Sequence, residues 1–113
     1  MSEEKNIWQR EISFGKALND KRKEEFYKEF GSLLKSGIDI QRTLHILVEE
    51  QSNKKVRAIL ESILEDLVRG YSLADALKKS SHFTAYEYQS IKIGEETGRL
   101  QIILEHLASY YSD

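Results

Sequence analysis

The chain contains no cysteine and no proline. Without cysteine there is no disulfide, no zinc–thiolate site and no thiol nucleophile. Without proline nothing interrupts a helix interior, a weak pointer towards helix. Long apolar runs are also missing. No window approaches the ~18 to 20 residues of a membrane span, and the opening residues MSEEKNIWQREISF lack the apolar stretch of a signal peptide. Charge of one sign is missing too: 17 Lys and Arg stand against 19 Asp and Glu, a net charge of −2. The two signs are interspersed, so no basic stripe is offered to a phosphate backbone and nucleic acid is not an expected partner. The GxxxxGK[ST], GxGxxG and GxSxG patterns are absent, which leaves nucleotide binding and serine hydrolysis without support.

What remains is rich in Leu, Ile, Glu, Lys, Ala and Ser, a composition that favours helix over strand. At 113 residues the chain fits one domain with a modest core. Residues 1–19 are weakly periodic and read as a lead-in or linker, with the single tryptophan, Trp8, either packed on the body or anchoring a partner or membrane interface. From 20 to 113 the spacing predicts six helices.

The first helix starts near Asp20 as N-cap, carries Phe26, Phe30, Leu33 and Leu34 on one face, and stops at Gly37. Asp39 caps a second, with Ile40, Leu44, Leu47 and Val48 inward. Ser52 or Asn53 caps a third, the clearest stripe in the chain: Val56, Ile59, Leu60, Ile63, Leu64, Leu67 and Val68. Glu61, Glu65 and Asp66 are expected to point away from that stripe, and Gly70 ends the helix. Ser72, with Asp75 three residues on, opens a short fourth helix as a variant capping box, and KKSSH at 78–82 is expected to be a loop. Thr84 and Glu87 form a regular capping box for a fifth helix with Tyr88 and Ile91 inward, ending at Thr97-Gly98. The sixth places Leu100, Ile103, Leu104, Leu107, Ala108 and Tyr111 on one face. Short connections between amphipathic helices imply an all-α, compact antiparallel bundle.

Chemistry is sparse. Ser36, Ser52, Ser72 and Ser81 fall at helix ends and read as caps. His45, His82 and His106 lack the i, i+4 spacing of a helical metal site and read as boundary or surface residues. Adjacent carboxylates such as Glu49-Glu50, Glu65-Asp66 and Glu95-Glu96 diverge by about 100° on a helix, a poor arrangement for two-carboxylate chemistry. Glu95 stands apart because it lies between Gly94 and Gly98. The alternatives for it are a structural contact, a partner contact shared with Glu96, or a weak oxygen-ligated divalent metal site. Gly94 sits inside a helix, where it costs about 1 kcal/mol against alanine, so another helix is expected to pass close by. Neither catalysis nor a cofactor is expected.

Three segments then line up: LLKSGIDIQRTL at 33–44, GYSLADAL at 70–77, and FTAYEYQSIKIGEETGRL at 83–100, followed by LEHLASYY. Together they resemble the cytoplasmic domain of the bacterial type II secretion system F protein family, which includes the platform protein of type IV pilus assembly. The residues that fill the pattern are Gly37, Gly70, Ser72, Leu73, Ala76, Leu77, Gly94, Glu95, Gly98 and Leu100. Members often carry proline near positions 39 and 84, where this chain has the helix caps Asp39 and Thr84. The resemblance implies an excised domain, the first of two on the cytoplasmic face of a polytopic inner-membrane protein. It also implies a scaffold role, contacts with the assembly ATPase and other inner-membrane components, and pairing as a homodimer. Gly37, Gly70 and Gly98 become helix-reversing turns. The competing reading is a free-standing helical adaptor or signalling module.

Overall fold

The computed structural model describes residues 17–112. Most of the expected lead-in, including Trp8, therefore lies outside the described residues. Six helices follow one another: α1 (Asp20–Lys35), α2 (Ile40–Glu50), α3 (Lys54–Val68), α4 (Leu73–Ser80), α5 (Ala85–Thr97) and α6 (Leu100–Tyr111). The fold is all-α.

Local chemistry sets most of the boundaries. Asp39, Asn53, Ser72 and Thr84 each accept a backbone N–H one turn into the helix that follows, which satisfies donors the helix itself leaves unpaired. At α1 the expectation shifts by one residue: Asn19 is the cap, accepting from Arg22 N at 2.9 Å, and Asp20 is the first helical residue. Asn19 is as good a cap, and Asp20 in the first turn suits the positive end of the dipole. Two of the exits are Schellman motifs. Gly37 N–H donates to Leu34 O and Ile38 N–H to Leu33 O; Gly70 N–H donates to Leu67 O and Tyr71 N–H to Asp66 O. Both glycines have the positive φ this closure requires, +92° and +99°.

The segment 78–82 is not a loop throughout. α4 continues to Ser80, and the reversal comes at Ser81, the one non-glycine residue with positive φ among the described residues. Lys78 and Lys79 are good helix formers and favour the negative end of the dipole, which a reading based on their polarity misses.

Helices adjacent in sequence pack on one another, and α6 returns to make the most extensive contact of all with α1, closing the set into a ring. The last contact is antiparallel: Gly31 lies against Leu104 and Glu105, while Tyr27 stacks on Tyr111. Tyr27, Phe30, Leu44, Ile63, Leu73, Leu77, Ile91, Leu104 and Leu107 fill the centre with essentially no exposure. The α3 stripe needs correction at its end. Val68 is 63 % exposed, whereas Asp66, expected to face outward, is buried. The stripe of an α-helix drifts as it lengthens, and the last turn of α3 has rotated past its neighbours, bringing Asp66 round to Lys79 of α4 at 3.3 Å.

Candidate functional site: two carboxylates that tie helices together

Two of the segments singled out in the sequence meet in space. Glu95, on α5, reaches across to the start of α4, where its carboxylate oxygens accept the N–H groups of Leu73 and Ala74 at 2.9 and 3.0 Å. Ser72 accepts the next donor, from Asp75, at 3.1 Å. Ser72 and Glu95 thus divide the N-terminal donors of α4 between them. Asp75 does not complete the reciprocal half of a capping box, and Glu95 adds two further acceptors to that helix end from outside. A carboxylate at the positive end of a helix gains further from the dipole. The GYSLADAL turn and the GEETGRL turn are therefore one joined unit.

Gly94 makes the junction possible. A Cβ at this position would lie 2.9 Å from Ile103 Cγ1 and 3.0 Å from the Leu100 backbone Cα. α5 and α6 thus approach closely at a point where only hydrogen fits. Gly98 has φ +71°, and Arg99 N–H donates to Gly94 O at 2.8 Å, turning the chain from α5 directly into α6. Glu96 is exposed and makes no hydrogen bond or ion pair among the described residues. Among those residues no group of three or more His, Asp or Glu is placed to share a metal ion. Both oxygens of Glu95 are already occupied by backbone donors.

The second carboxylate does more than the capping box that its spacing from Thr84 predicts. Glu87 does form that box with Thr84, but its side chain is fully buried. One oxygen accepts Tyr27 OH at 2.6 Å; the other accepts Lys23 Nζ at 2.9 Å and Thr84 N–H at 2.7 Å. The Lys23 ammonium also sits 5.4 Å from the ring centres of both Phe83 and Tyr111, a favourable cation–π arrangement. Burial by itself would raise the Glu87 pKa. The hydrogen bonds from Tyr27, Thr84 and Lys23, with the Lys23 charge, outweigh it and hold the carboxyl below its ordinary value. Burial, followed by the neighbouring Glu87 charge, pushes the Tyr27 and Tyr111 phenols well above theirs. The network binds α1 to α5 and lies against the aromatic rings of Phe83 and Tyr111.

The three histidines lie apart from both carboxylates. His45 lies 3.2 Å from Glu49 on the surface of α2, and His106 Nε2 is 2.8 Å from Tyr86 OH on the outer face of α5 and α6. His82 lies in the turn after α4 at intermediate exposure. Ser36 and Ser81 are C-caps, and Ser52 sits beside the cap Asn53. No described helix is long and apolar enough to cross a membrane.

A closed ring of helices whose buried carboxylates Asp66 and Glu87 each tie one helix to another defines a structural class: an all-α domain built as a framework. Residues 26–113 match the family described as type II secretion system (T2SS), protein F, and the chain belongs to that family. It is 31% identical over 85 residues to the type IV pilus assembly protein PilC of Thermus thermophilus, covering 75% of this chain and 21% of that protein. Against the type II secretion system protein F of Vibrio cholerae it is 27% identical over 84 residues, 74% of this chain and 21% of the relative. The protein transport protein HofC homolog of Haemophilus influenzae is 26% identical over 105 residues, 92% of this chain and 26% of the relative. The chain therefore spans about a fifth to a quarter of the length of these curated relatives.

Proposed function

We propose that this chain is a non-catalytic domain of an inner-membrane platform protein in a type II secretion or type IV pilus assembly machine. It lies on the cytoplasmic face and couples the assembly ATPase to the addition of pseudopilin or pilin subunits. In the longer protein it is the first of two such domains, and it pairs as a homodimer. The observation that carries this reading is the family match over residues 26–113, joined to the geometry of the motif residues: Glu95 and Gly94 lock α4, α5 and α6 into one rigid corner. A domain that relays motion between partners needs elements that move as a body, and a fully satisfied helix junction supplies one. The relatives' greater length favours this reading over a free-standing adaptor.

The decisive experiment is a pull-down of the assembly ATPase from the same organism with this domain, and in parallel with the full-length parent in detergent. Retention by the parent and by the domain supports the coupling role. Retention by neither removes the ATPase as the partner.

A further inference from the structure

One face of the α5–α6 pair is apolar and open. Tyr86 and Ile93 on α5 and Ile102 and Tyr110 on α6 are 45, 57, 57 and 60 % exposed. They share one surface. Positions 86 and 93 lie two turns apart on α5, and 102, 106 and 110 step by four along α6. The Tyr86 ring meets that of Tyr110 at 5.1 Å, and its hydroxyl lies 2.8 Å from His106 Nε2. The positions between them are Ser90 and Thr97 on α5 and His106 and Ser109 on α6. None of these places holds Asp, Glu, Lys or Arg, although 32% of the chain is charged. Thr97 turns its hydroxyl back onto Ile93 O at 2.7 Å. A charge-free patch carrying four large side chains of apolar body marks a face that something covers.

We infer that the cover is the chain's own N-terminal segment, with Ile7, Trp8 and Ile12 laid across Tyr86, Ile93, Ile102 and Tyr110. The point of entry selects this occupant. Lys23, in the first turn of α1, sits 5.4 Å from the Tyr111 ring centre, and that ring meets Tyr110 at 5.0 Å. The chain therefore enters α1 beside the aromatic end of the face. The stretch from Ile12 to Asp20 reaches up to ~26 Å when extended, whereas the exposed stripe of α6 from Ile102 to Tyr110 is only ~12 Å long. Composition agrees with position. Ile7, Trp8, Ile12 and Phe14 fall close together, with Trp8 and Ile12 at i, i+4 spacing. Lys5, Arg10 and Lys16 offset Glu3, Glu4 and Glu11, and a segment of no net charge suits a face that carries none. The tether holds it at an effective concentration on the order of millimolar, which favours it over a second copy of the chain at ordinary protein concentrations. This contact goes beyond the platform reading, and it stands or falls apart from the ATPase pull-down.

Trp8 is the only tryptophan, so its fluorescence reports on this segment alone. The measurement is the emission of the whole folded chain, excited at the red edge where tyrosine does not absorb, with acrylamide quenching alongside. The expected result is emission to the blue of the urea-unfolded chain and slower quenching, both unchanged on dilution. The double variant Ile93→Ser, Tyr110→Ser should move the emission to the red and restore fast quenching. Its far-UV circular dichroism should keep the helical signal, since both positions are exposed. Ile12→Ser, which leaves the six helices untouched, should shift Trp8 in the same way. Val68→Ser removes an exposed apolar group from α3 and should leave Trp8 as it is. Wild-type emission equal to that of the unfolded chain, emission indifferent to either variant of the contact, or an equal response to Val68→Ser would each overturn the inference. So would a blue shift that fades on dilution, which would assign the face to a second copy of the chain.

Discussion

At the scale of single residues, Glu87 carries the most consequence. Its ion pair with Lys23 is enclosed on both sides, with the side chains 0 and 9 % exposed. Removing one member of such a pair leaves the other buried and charged, which typically costs about 3–5 kcal/mol. Glu87→Gln should therefore lower unfolding free energy by about that amount in urea denaturation, whereas Tyr27→Phe, which removes one neutral donor to a charge, should cost about 1.5–3 kcal/mol. The pH dependence has a defined sign. The folded carboxyl titrates below its ordinary value of 4.5, so its contribution is complete above that pH and is lost as pH falls through the folded pKa. The Tyr27 phenol is displaced upward, so its contribution is complete below about pH 10 and drains away as pH rises further. Urea midpoints measured from acid to alkaline pH should show both losses. The acid limb should be shallower in Glu87→Gln.

At the scale of helices, the corner made by α4, α5 and α6 is held by one glycine and one carboxylate. Gly94→Leu must displace Ile103 and the Leu100 backbone, since even a Cβ would sit 3.0 Å from that Cα. Overpacking of this kind costs about 1–3 kcal/mol, and a melting temperature equal to wild type would contradict close packing here. Glu95→Ala should cost about 0.5–2 kcal/mol as a lost cap and should speed hydrogen exchange at the Leu73 and Ala74 amides specifically.

Helix boundaries were the legible part of this corner. Caps act within three residues of themselves, so Asp39, Ser72, Thr84 and the glycines announce them in one dimension. The tasks of Glu95, Asp66 and Glu87 were illegible for the complementary reason. Their partners lie 22, 13 and 64 residues away along the chain, and a carboxylate read alone resembles any solvated one. One signal was available for Glu87: the pairing of its box with Phe83 on one side and Ile91 on the other placed it on the inward face of α5.

At the scale of the whole molecule, apolar periodicity predicted the all-α architecture and most of the core, and it misjudged the last turn of α3, where Val68 faces solvent. It also left an outer face unexplained, since Ile93 and Ile102 are each 57 % exposed. The two kinds of apolar residue on α6 separate by experiment. Leu104→Ala should cost about 2–5 kcal/mol, as expected for a filled core site. Ile102→Ser, at an exposed position, should change stability by no more than about 0.5 kcal/mol. Thermal melts of the two variants side by side check the assignment of faces.

The antiparallel seam between α1 and α6 has a mechanical corollary. Because Tyr111 stacks on Tyr27, the chain leaves the last helix beside the place where it enters the first. Tension applied at those two points would peel the seam open turn by turn, as a zipper opens, instead of shearing all of it at once. Pulled from its two ends in an optical trap, the domain should yield first at the α1–α6 seam.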